Sequence, residues 1–469
     1  MSLFMSLNTA LRGIMAQQTA QSVTANNIAN TNTDGYTRQR VELQESYPLS
    51  GIVSGAQLGT GVDVADILRI RDEYLDYQIH KQNSTLEYDN TMADTLGNME
   101  IIFNETADSN GLDDQLDAFW QAWQDLSVTP DSTPVRTTVV EAATTLVNTL
   151  HDLNTQLTNM QDETQTQIDL TITNVNNITG QIAELNDQIV KMVARKETPN
   201  SLLDARDLLL DELSGIGNLT VTPCVDANGE YNGAISIQMG SVTVVDDNGD
   251  SVAVDNTDIT SSTLTDGSLA ALLHLNGDSG ANDTIQYYLD KLDVLAAGIA
   301  ENINSIHTTG TDSNGDLGEA FFVIGDAGAS FTAANISINS AITGSVSKIA
   351  AAINDTNVEG NGDIALQIAQ LKDKKLDDNL GSTGTSTMTI NGFYEGMTVE
   401  LGTKIDVAEA RVDNQKIIVD NLTTKRESIS GVNIDEETTH LILYQNAYSA
   451  SAKVVTYVEK MFDSLMSMI

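Results

Sequence analysis

The chain ends in LILYQNAYSASAKVVTYVEKMFDSLMSMI (residues 441–469), where apolar side chains recur at alternating steps of three and four. The members of this stripe are Leu441, Tyr444, Tyr448, Val455, Val458, Phe462, Leu465 and Ile469, with Ser451 as a polar interruption. Apolar residues that repeat every 3.5 positions form the seam along which helices pair in coiled coils. The pattern therefore predicts a terminal helix with one face prepared for a helical partner.

The N-terminal segment carries a second apolar stripe. It consists of Leu7, Leu11, Ile14, Ala25 and Ile28. Arg12 is the only charged residue before Asp34, although the whole chain has a formal net charge of -43. A neutral amphipathic helix is poorly soluble until its apolar face is covered. An acidic body with neutral, apolar ends indicates a subunit that assembles through its termini.

The composition argues against several classes of partner. The isoelectric point near 4.1 excludes nucleic acid and disfavours anionic membranes, because both require clustered Lys and Arg. Cys224 is the only cysteine, which excludes an internal disulfide and a cysteine-rich metal site. The sequence begins without the pattern of a cleaved signal peptide, and its apolar runs are too short to span a membrane. We therefore expect a chain that is not secreted by the general route.

Prolines frame a long helical region in the middle of the chain. Between Pro134 and Pro199 there is no proline and a single glycine, Gly180. Proline is tolerated at the start of a helix but not in its interior. The spacing therefore predicts one very long helix or two helices in line. Further apolar stripes predict helices around 288–306 and 405–429.

The amino-acid composition changes between about 215 and 277, where Thr, Val, Gly and Asp become frequent. The alternating runs at 234–239 and 242–245 are typical of strands, and Asp246-Asp247-Asn248-Gly249-Asp250 is a turn signal. Gly- and Asp-rich residues at 308–320, and a Gly/Ser/Thr-rich stretch at 379–387, indicate surface connections. These features predict a small β-domain inserted between helices.

The sequence offers few candidates for catalysis or for a ligand site. His80, His151, His274, His307 and His440 are scattered, so we interpret each as a solvated helix or loop residue. Residues 360–365 (GNGDIA) formally match a dinucleotide fingerprint, but an acidic loop precedes them instead of an apolar strand. Residues 312–316 (DSNGD) resemble the start of a calcium loop, but Leu317 and Val323 break the pattern, which favours a hairpin turn. Trp120 and Trp123 are interpreted as core residues. We therefore expect no cofactor, no metal and no catalytic residue.

Two segments near the ends resemble one protein family. Residues 25–39 (ANNIANTNTDGYTRQ) closely resemble the signature of bacterial flagellar rod, hook and hook-associated proteins, and residues 430–437 (SGVNIDEE) resemble its C-terminal counterpart. The residues that match are Asn26, Asn27, Asn30, Gly35, Tyr36, Gly431, Val432, Asn433, Asp435 and Glu436. Gly35 suits the turn that leaves the N-terminal helix, and Asn433 or Asp435 suits the N-cap of the last helix.

Two internal segments resemble the hook-associated members of that family more specifically. They are residues 199–207 (PNSLLDARD) and residues 315–322 (GDLGEAFF). The resemblance leaves out the β-rich insert and residues 325–400. It implies a structural subunit that joins the flagellar hook to the filament. A flagellar hook or rod subunit, which shares both terminal motifs, is the alternative, and an enzyme carried on the flagellum is an alternative of another class.

The predicted fold class is mainly α with a β insert: a long helical-bundle or coiled-coil rod built from both chain ends, plus a small inserted β-domain. The predicted divisions are a coiled-coil segment at 1–47 that pairs with 433–469, a rod domain at 48–214 and 281–432, and the β-rich domain at 215–280. In the free monomer we expect the terminal helices to be loosely ordered.

The resemblance also implies partners and a location. The partners would be further copies in a ring, the hook protein, the next hook-associated protein toward the filament, and a cytoplasmic export chaperone on the C-terminal helix. The chain would be exported unfolded by the flagellar type III apparatus, without a cleaved signal peptide, and would act outside the cell at the hook–filament junction.

Overall fold

The computed structural model describes residues 3–53, 56–103, 111–278, 281–325, 328–353, 359–376, 380 and 387–467. Ile469 and most of the stretch at 379–387 lie outside the described residues. Within the described part, no helix is both long enough and apolar enough to cross a membrane.

Helices dominate the described part of the chain. The helices are α1 (Leu3–Ala29), α2 (Glu73–Phe103), α3 (Leu112–Val128), α4 (Thr133–Val193), α5 (Asn200–Ile216), α6 (Ser268–Leu273), α7 (Ile285–His307), α8 (Ser340–Gly344), α9 (Asp363–Ala369), α10 (Ile390–Ser430) and α11 (Ile434–Met466). The strands are β1 (Gln39–Glu45), β2 (Leu49–Val53), β3 (Ala56–Leu58), β4 (Val62–Arg69), β5 (Leu219–Val225), β6 (Tyr231–Met239), β7 (Val242–Val245), β8 (Gly310–Thr311), β9 (Phe322–Ile324), β10 (Ile336–Ile338) and β11 (Ala352–Ile353). The predicted fold class, mainly α with a small β insert, is confirmed.

The two halves of the chain meet as successive antiparallel helix pairs. α1 packs against α11, and α2 packs against α10. In the second pair Gln415 donates a hydrogen bond to the side chain of Gln82 at 2.7 Å, while the ring of Tyr394 lies 6.4 Å from that of Phe103. The elements between α2 and α10 in the sequence therefore form an insertion between two helix pairs, and each pair contains one helix from each half of the chain.

The region between Pro134 and Pro199 forms one helix, α4, of 61 residues. At 1.5 Å per residue such a helix extends over about 90 Å. Its first half packs into a core with α3 and α7 through residues such as Leu146 and Leu150. Its second half packs into a separate core with the β insert through residues such as Ile172 and Ile182. One continuous helix thus joins the two cores, with the buried Thr164 between them.

The β insert is an antiparallel sheet with the strand order β5-β6-β7. The predicted strands at 234–239 and 242–245 are confirmed, as is the turn at 246–250, where Gly249 has a φ of +87°. The helix predicted around 288–306 corresponds to α7. The stripe predicted from 405 lies on α10, and its members Ile405, Ala408 and Gln415 are buried.

Four strands between residues 39 and 69 were not predicted. β1 pairs with β4 in antiparallel fashion, so that Gln39 lies opposite Arg69. β1 has the sequence QRVELQE, in which no residue is fully buried. Its extended conformation depends on pairing with β4, and a strand with little apolar alternation gives no periodic signal in the sequence.

The interpretation of His307 as a solvated residue was wrong. Its ring is fully buried, between the carbonyl oxygen of Glu319 at 2.6 Å from Nδ1 and the amide of Ala350 at 2.9 Å from Nε2. Nε2 must accept from that amide, so Nδ1 carries the single ring proton and the neutral form is required. Burial lowers the pKa of His307 to about 4.

This buried imidazole predicts a loss of stability in acid. Above pH 6.5 His307 is neutral in both states, but between pH 6.5 and 4 only the unfolded chain takes up the proton. We expect this group to cost about 3 kcal/mol of unfolding free energy at pH 4 relative to pH 7. Urea unfolding across this range should show a shallower pH dependence in His307→Gln, whereas the exposed control His440→Gln should keep the wild-type slope. Equal slopes in all three proteins would contradict the prediction.

Lys196 occupies a backbone conformation that favours glycine. It follows the last turn of α4 with a φ of +61°, and the amide of Glu197 donates to the carbonyl of Met192. This closes the helix as a Schellman motif, in which the left-handed residue is usually glycine. A lysine at this position therefore stores strain.

Substituting glycine should release that strain. We expect Lys196→Gly to raise the unfolding free energy by roughly 0.5–1 kcal/mol, because the relief of a left-handed side chain exceeds the added freedom of the unfolded chain. Thermal unfolding measures the change. Lys196→Ala, which removes the charge but keeps the Cβ atom, should show no gain, and a gain in both variants would assign the effect to charge instead.

Candidate assembly site at the paired chain ends

The terminal helices pack on each other along their length. At one end the rings of Phe4 and Phe462 meet edge to face with centroids 5.8 Å apart. In the middle the helices approach closely, because a Cβ atom on Gly13 would lie 3.2 Å from the Oγ of Ser451. At the other end the Nδ2 of Asn27 donates to Glu437 at 3.0 Å. The pair is therefore antiparallel.

The structure divides the N-terminal stripe between two environments. Leu7 lines a groove of about 380 Å³ together with Val455, Val458 and Phe462. Ile14 and Ile28 are half-buried, whereas Leu11 and Ala25 are exposed. The buried apolar positions of α1 are instead mostly small residues, namely Ala10, Ala16, Ala20 and Val23.

The C-terminal stripe is buried to different depths. Val458 is buried, while Leu441, Tyr444 and Val455 are half-buried. Tyr448, Phe462 and Leu465 remain exposed. α1 therefore covers the middle of the stripe better than the end of the helix. The role of both stripes in assembly stays a prediction.

A second apolar surface on the helix pair is uncovered. We call it the outer apolar surface, and it consists of Ile442, Leu443, Val454, Tyr457 and Met461, which are all exposed and fall on one side of α11 at 3.6 residues per turn. Leu443 is 61% exposed and Tyr457 is 68% exposed, and Lys453 is the only charged residue between them. Apolar side chains grouped in this way mark an interaction surface on soluble proteins.

Asn27 holds the two ends of the chain together. Besides donating to Glu437, its Nδ2 donates to the carbonyl of Gln39 at 2.9 Å. Its Oδ1 accepts from the amide of Gln39 at 3.0 Å and from the hydroxyl of Tyr36 at 2.8 Å. The side chain is buried and makes every hydrogen bond that an amide can make. From the sequence, Asn27 was identified only as one matching position of the family signature.

The rest of the N-terminal motif builds the turn around Asn27. The side chain of Asn30 donates to that of Asn26 at 3.0 Å, and Asn26 donates to the Tyr36 hydroxyl at 3.1 Å. Gly35 has a φ of +75°, a conformation that side chains disfavour. Burial and the carboxylate of Asp204 raise the pKa of Tyr36 to about 12, so its hydroxyl remains protonated and donates to Asn27.

The C-terminal motif starts α11. The side chain of Asn433 accepts from the amides of Asp435 and Glu436, which makes it the N-cap. The carboxylate of Glu436 pairs with Arg38 at 2.9 Å, and the amide of Arg38 donates to the carbonyl of Ser430. Gly431 ends α10, and the half-buried Val432 follows it. The two motifs are therefore bonded to each other directly.

Sequence reasoning missed a network of charges beside the motifs. Arg69 pairs with Asp204 and Asp207 at 2.9 and 2.7 Å. Arg71 pairs with Asp76 and Asp207 at 2.6 and 3.2 Å. These side chains are at most 16% exposed, so the network is largely buried. It ties β4 and the start of α2 to α5.

The same network reaches α10 through Asp211. Arg426 pairs with Asp211 at 2.8 Å, and His80 lies 2.8 Å from the same carboxylate. Burial opposes ionisation of Asp211, but the hydrogen bond to His80 and the charge of Arg426 lower its pKa. Asp204 and Asp207 belong to the 199–207 segment that resembles hook-associated proteins. That resemblance was the one feature of the sequence that could have indicated the charged network.

The loops considered for ligand chemistry make structural contacts instead. A Cβ atom on Gly362 would lie 2.2 Å from the carbonyl oxygen of Ser127, so residues 360–365 pack against the end of α3. Asp312 accepts from the amides of Asn314 and Asp316, as in a hairpin turn. Among the described residues, no three His, Cys, Asp or Glu side chains form a cluster suited to a metal.

Comparisons with known proteins agree with this geometry. Residues 7–37 match the model of the flagella basal body rod protein, and residues 425–468 match that of the flagellar basal body rod FlgEFG protein C-terminal. Residues 96–322 match the flagellar hook-associated protein FlgK helical domain. Paired terminal helices with these matches define the class: the chain is a structural subunit of the bacterial flagellum.

Full-length relatives narrow the class further. The chain is 31% identical to flagellar hook-associated protein 1 of Bacillus subtilis, over 99% of this chain and 98% of the relative. It is 27% identical to the protein of that name from Salmonella typhimurium, over 98% and 99% of the two chains. The chain belongs to the flagellar hook-associated protein 1 family.

A solved structure supports the fold. It is the structure of the flagellar hook junction protein FlgK from Burkholderia pseudomallei, with a TM-score of 0.61 at 15% identity. The match covers 76% of this chain and all of the other chain. At this level of identity the match supports the fold alone.

Removing the amide at position 27 should weaken the junction. We expect Asn27→Ala to lower the unfolding free energy by about 2–3 kcal/mol, because the buried carboxylate of Glu437 and the backbone of Gln39 lose their partners. Asn26→Ala is the matched control, and it should cost less than about 1 kcal/mol since its hydrogen bonds are exposed. Urea unfolding measures both. Equal costs would show that Asn27 has no special role.

Proposed function

We propose that this chain joins the flagellar hook to the filament as a ring of copies held together by their paired terminal helices. The outer apolar surface is the observation that carries the proposal. The α1–α11 pair covers part of the apolar side chains of both ends and leaves Leu443 and Tyr457 exposed. Further helices packed around the pair would cover them, and several helix pairs around an axis form a ring or tube.

The distribution of charge supports assembly through the ends. Burial of each large apolar side chain contributes about 1.5–3 kcal/mol, so a few such contacts per subunit hold an assembly together. The chain carries a net charge of -43, and like-charged bodies repel each other. The nearly neutral terminal helices approach without this repulsion, which makes them the favoured contact.

In this proposal the predicted divisions acquire roles. Residues 1–47 and 433–469 form the inner coiled coil, residues 48–214 and 281–432 form the rod domain outside it, and residues 215–280 form an exposed β insert. The ring contacts the hook protein on one side and the next hook-associated protein on the other. The full-length relatives named flagellar hook-associated protein 1 support this placement.

The route to the assembly site is also part of the proposal. The chain is exported through the flagellar type III apparatus without a cleaved signal peptide and acts outside the cell. A cytoplasmic chaperone covers α11 before export, since the exposed apolar residues of that helix need protection from water until assembly. In this proposal the subunit has a mechanical role and no catalytic one. Metal analysis tests the alternative, because stoichiometric zinc in the purified protein would favour an enzyme carried on the flagellum.

Charge on the outer apolar surface should abolish incorporation without unfolding the subunit. We expect flagella from cells that express Leu443→Glu/Tyr457→Glu to lose the narrow band of immunogold label at the hook–filament joint. Buried apolar contacts between copies cannot accommodate the added carboxylates. Gln445→Glu/Thr456→Glu, at exposed polar positions of the same helix, is the matched control and should keep the band.

The fluorescence of Trp120 and Trp123, which lie buried in the rod core, should be unchanged in both variants. A normal band with the first variant would contradict assembly through this surface. Wild-type label spread along the hook would make the chain a hook subunit, and label confined to the basal body would make it a rod subunit.

A further inference from the structure

A groove lies where the two terminal motifs meet. We call it the junction groove; it has a volume of about 1260 Å³, with the turn around Gly35 on one side and residues 430–436 on the other. The arginines that line it, Arg38, Arg71 and Arg426, are all paired with carboxylates of the same chain. Its size is sufficient for several side chains of another molecule.

The junction groove has an excess of negative charge. Asp34, Glu427 and Asp435 line it, are exposed, and have no cationic partner in the part of the chain that the structure describes. The groove also contains polar atoms that lack a hydrogen-bond partner. The Oγ of Ser430, a residue only 9% exposed, and the Nε of Arg38 are both buried and unpaired among the described residues. Both atoms are shielded from solvent, so they belong to the packed wall of the groove, and its exposed carboxylates are the groups that a partner can contact.

A second feature complements this groove. Residues 191–197 close α4 and contain Lys191, Arg195 and Lys196; we call them the basic turn. Lys191 pairs with Asp187, whereas Arg195 and Lys196 are exposed and have no carboxylate partner within the described ranges. Even with Glu197 counted, the basic turn carries an excess of positive charge on a strongly acidic chain.

The end of α4 is already closed, because the amides of Glu197 and Lys196 donate to the carbonyls of Met192 and Val193. The side chains of Arg195 and Lys196 are therefore the groups of the basic turn that remain for a partner. Lys196 adopts its left-handed conformation where glycine would be less strained, and strain of this kind is often retained at functional positions.

The two surfaces are connected by α5. The basic turn adjoins β4 through a hydrogen bond from Thr198 to Asp66, and α5 begins at Asn200. Leu208 of α5 lines the junction groove, and eight residues of helix, about 12 Å, separate it from Asn200. A heterologous contact that closes a ring joins two different surfaces of each copy.

We propose that the basic turn of one copy docks in the junction groove of the adjacent copy and so sets the lateral contact of the ring. The partner is a second copy of this chain, and recognition rests on Arg195 and Lys196 facing Asp34 and Glu427. This inference rests on the proposed ring and adds the contact between neighbours outside the coiled coil.

Cross-linking in isolated flagella tests the contact. Cells that co-express Lys196→Cys and Glu427→Cys chains should give, after oxidation, a disulfide-linked dimer of twice 50.3 kDa. Each variant alone should give little, because the native Cys224 is buried. Lys374→Cys co-expressed with Glu427→Cys is the matched control. The inference would be overturned if the Lys196→Cys and Glu427→Cys pair gave no more dimer than this control pair, in flagella that show the normal immunogold label.

Charge reversal provides an independent test. Arg195→Glu/Lys196→Glu should reduce the immunogold label at the joint about tenfold, since like charges would then face each other across the contact. Adding Asp34→Lys/Glu427→Lys to the same chain should restore it. Lys374→Glu/Lys375→Glu is the matched control and should have no effect. If Arg195→Glu/Lys196→Glu left the immunogold label at the wild-type level, the contact would be refuted and the proposed function would stand. If wild-type flagella showed no band at the joint, the proposed function itself would be refuted.

Discussion

The architecture depends on one contact between residues that are 410 positions apart, the hydrogen bond from Asn27 to Glu437. Both ends of the chain leave the terminal helix pair at this point, so the elements between them form one large insertion. Closing a loop of this length adds little entropic cost over a shorter loop, because the cost grows only with the logarithm of length. The contact is nevertheless buried and polar, so it tolerates no other register of the two helices.

The terminal helix pair and the junction beside it use opposite chemistry. The packed face of the pair relies on apolar side chains and on small residues such as Ala16 and Ala20. The junction relies on Arg69, Arg71 and Arg426 with their aspartates. A buried ion pair contributes little net stability, but the loss of one partner is costly. Such a network therefore fixes the orientation of the terminal helices relative to the rod, which is a requirement for a load-bearing subunit.

The long helix α4 connects the junction to the two cores of the molecule. Its first half belongs to the core with Trp120 and Trp123, and its second half belongs to the core of the β insert. Its C-terminal end reaches β4, next to the charged network. A helix that spans about 90 Å and is packed in two cores resists bending. The rod and the junction are thus connected by one continuous element.

The sequence by itself determined the helical stripes of both ends, the helical character of residues 135–198 and the strands β6 and β7, because apolar periodicity is a local property. Whether residues 135–198 form one helix or two was decided by the structure. The family motifs also marked Gly35 and Asn433, whose roles depend on backbone a few residues away. Tertiary structure alone decided the pairing of Asn27 with Glu437, the charged network around Asp204 and Asp211, and the pairing of β1 with β4. It also decided the burial of His307. The partners of these residues come from distant segments or from the opposite strand, and no spacing within the chain records such contacts.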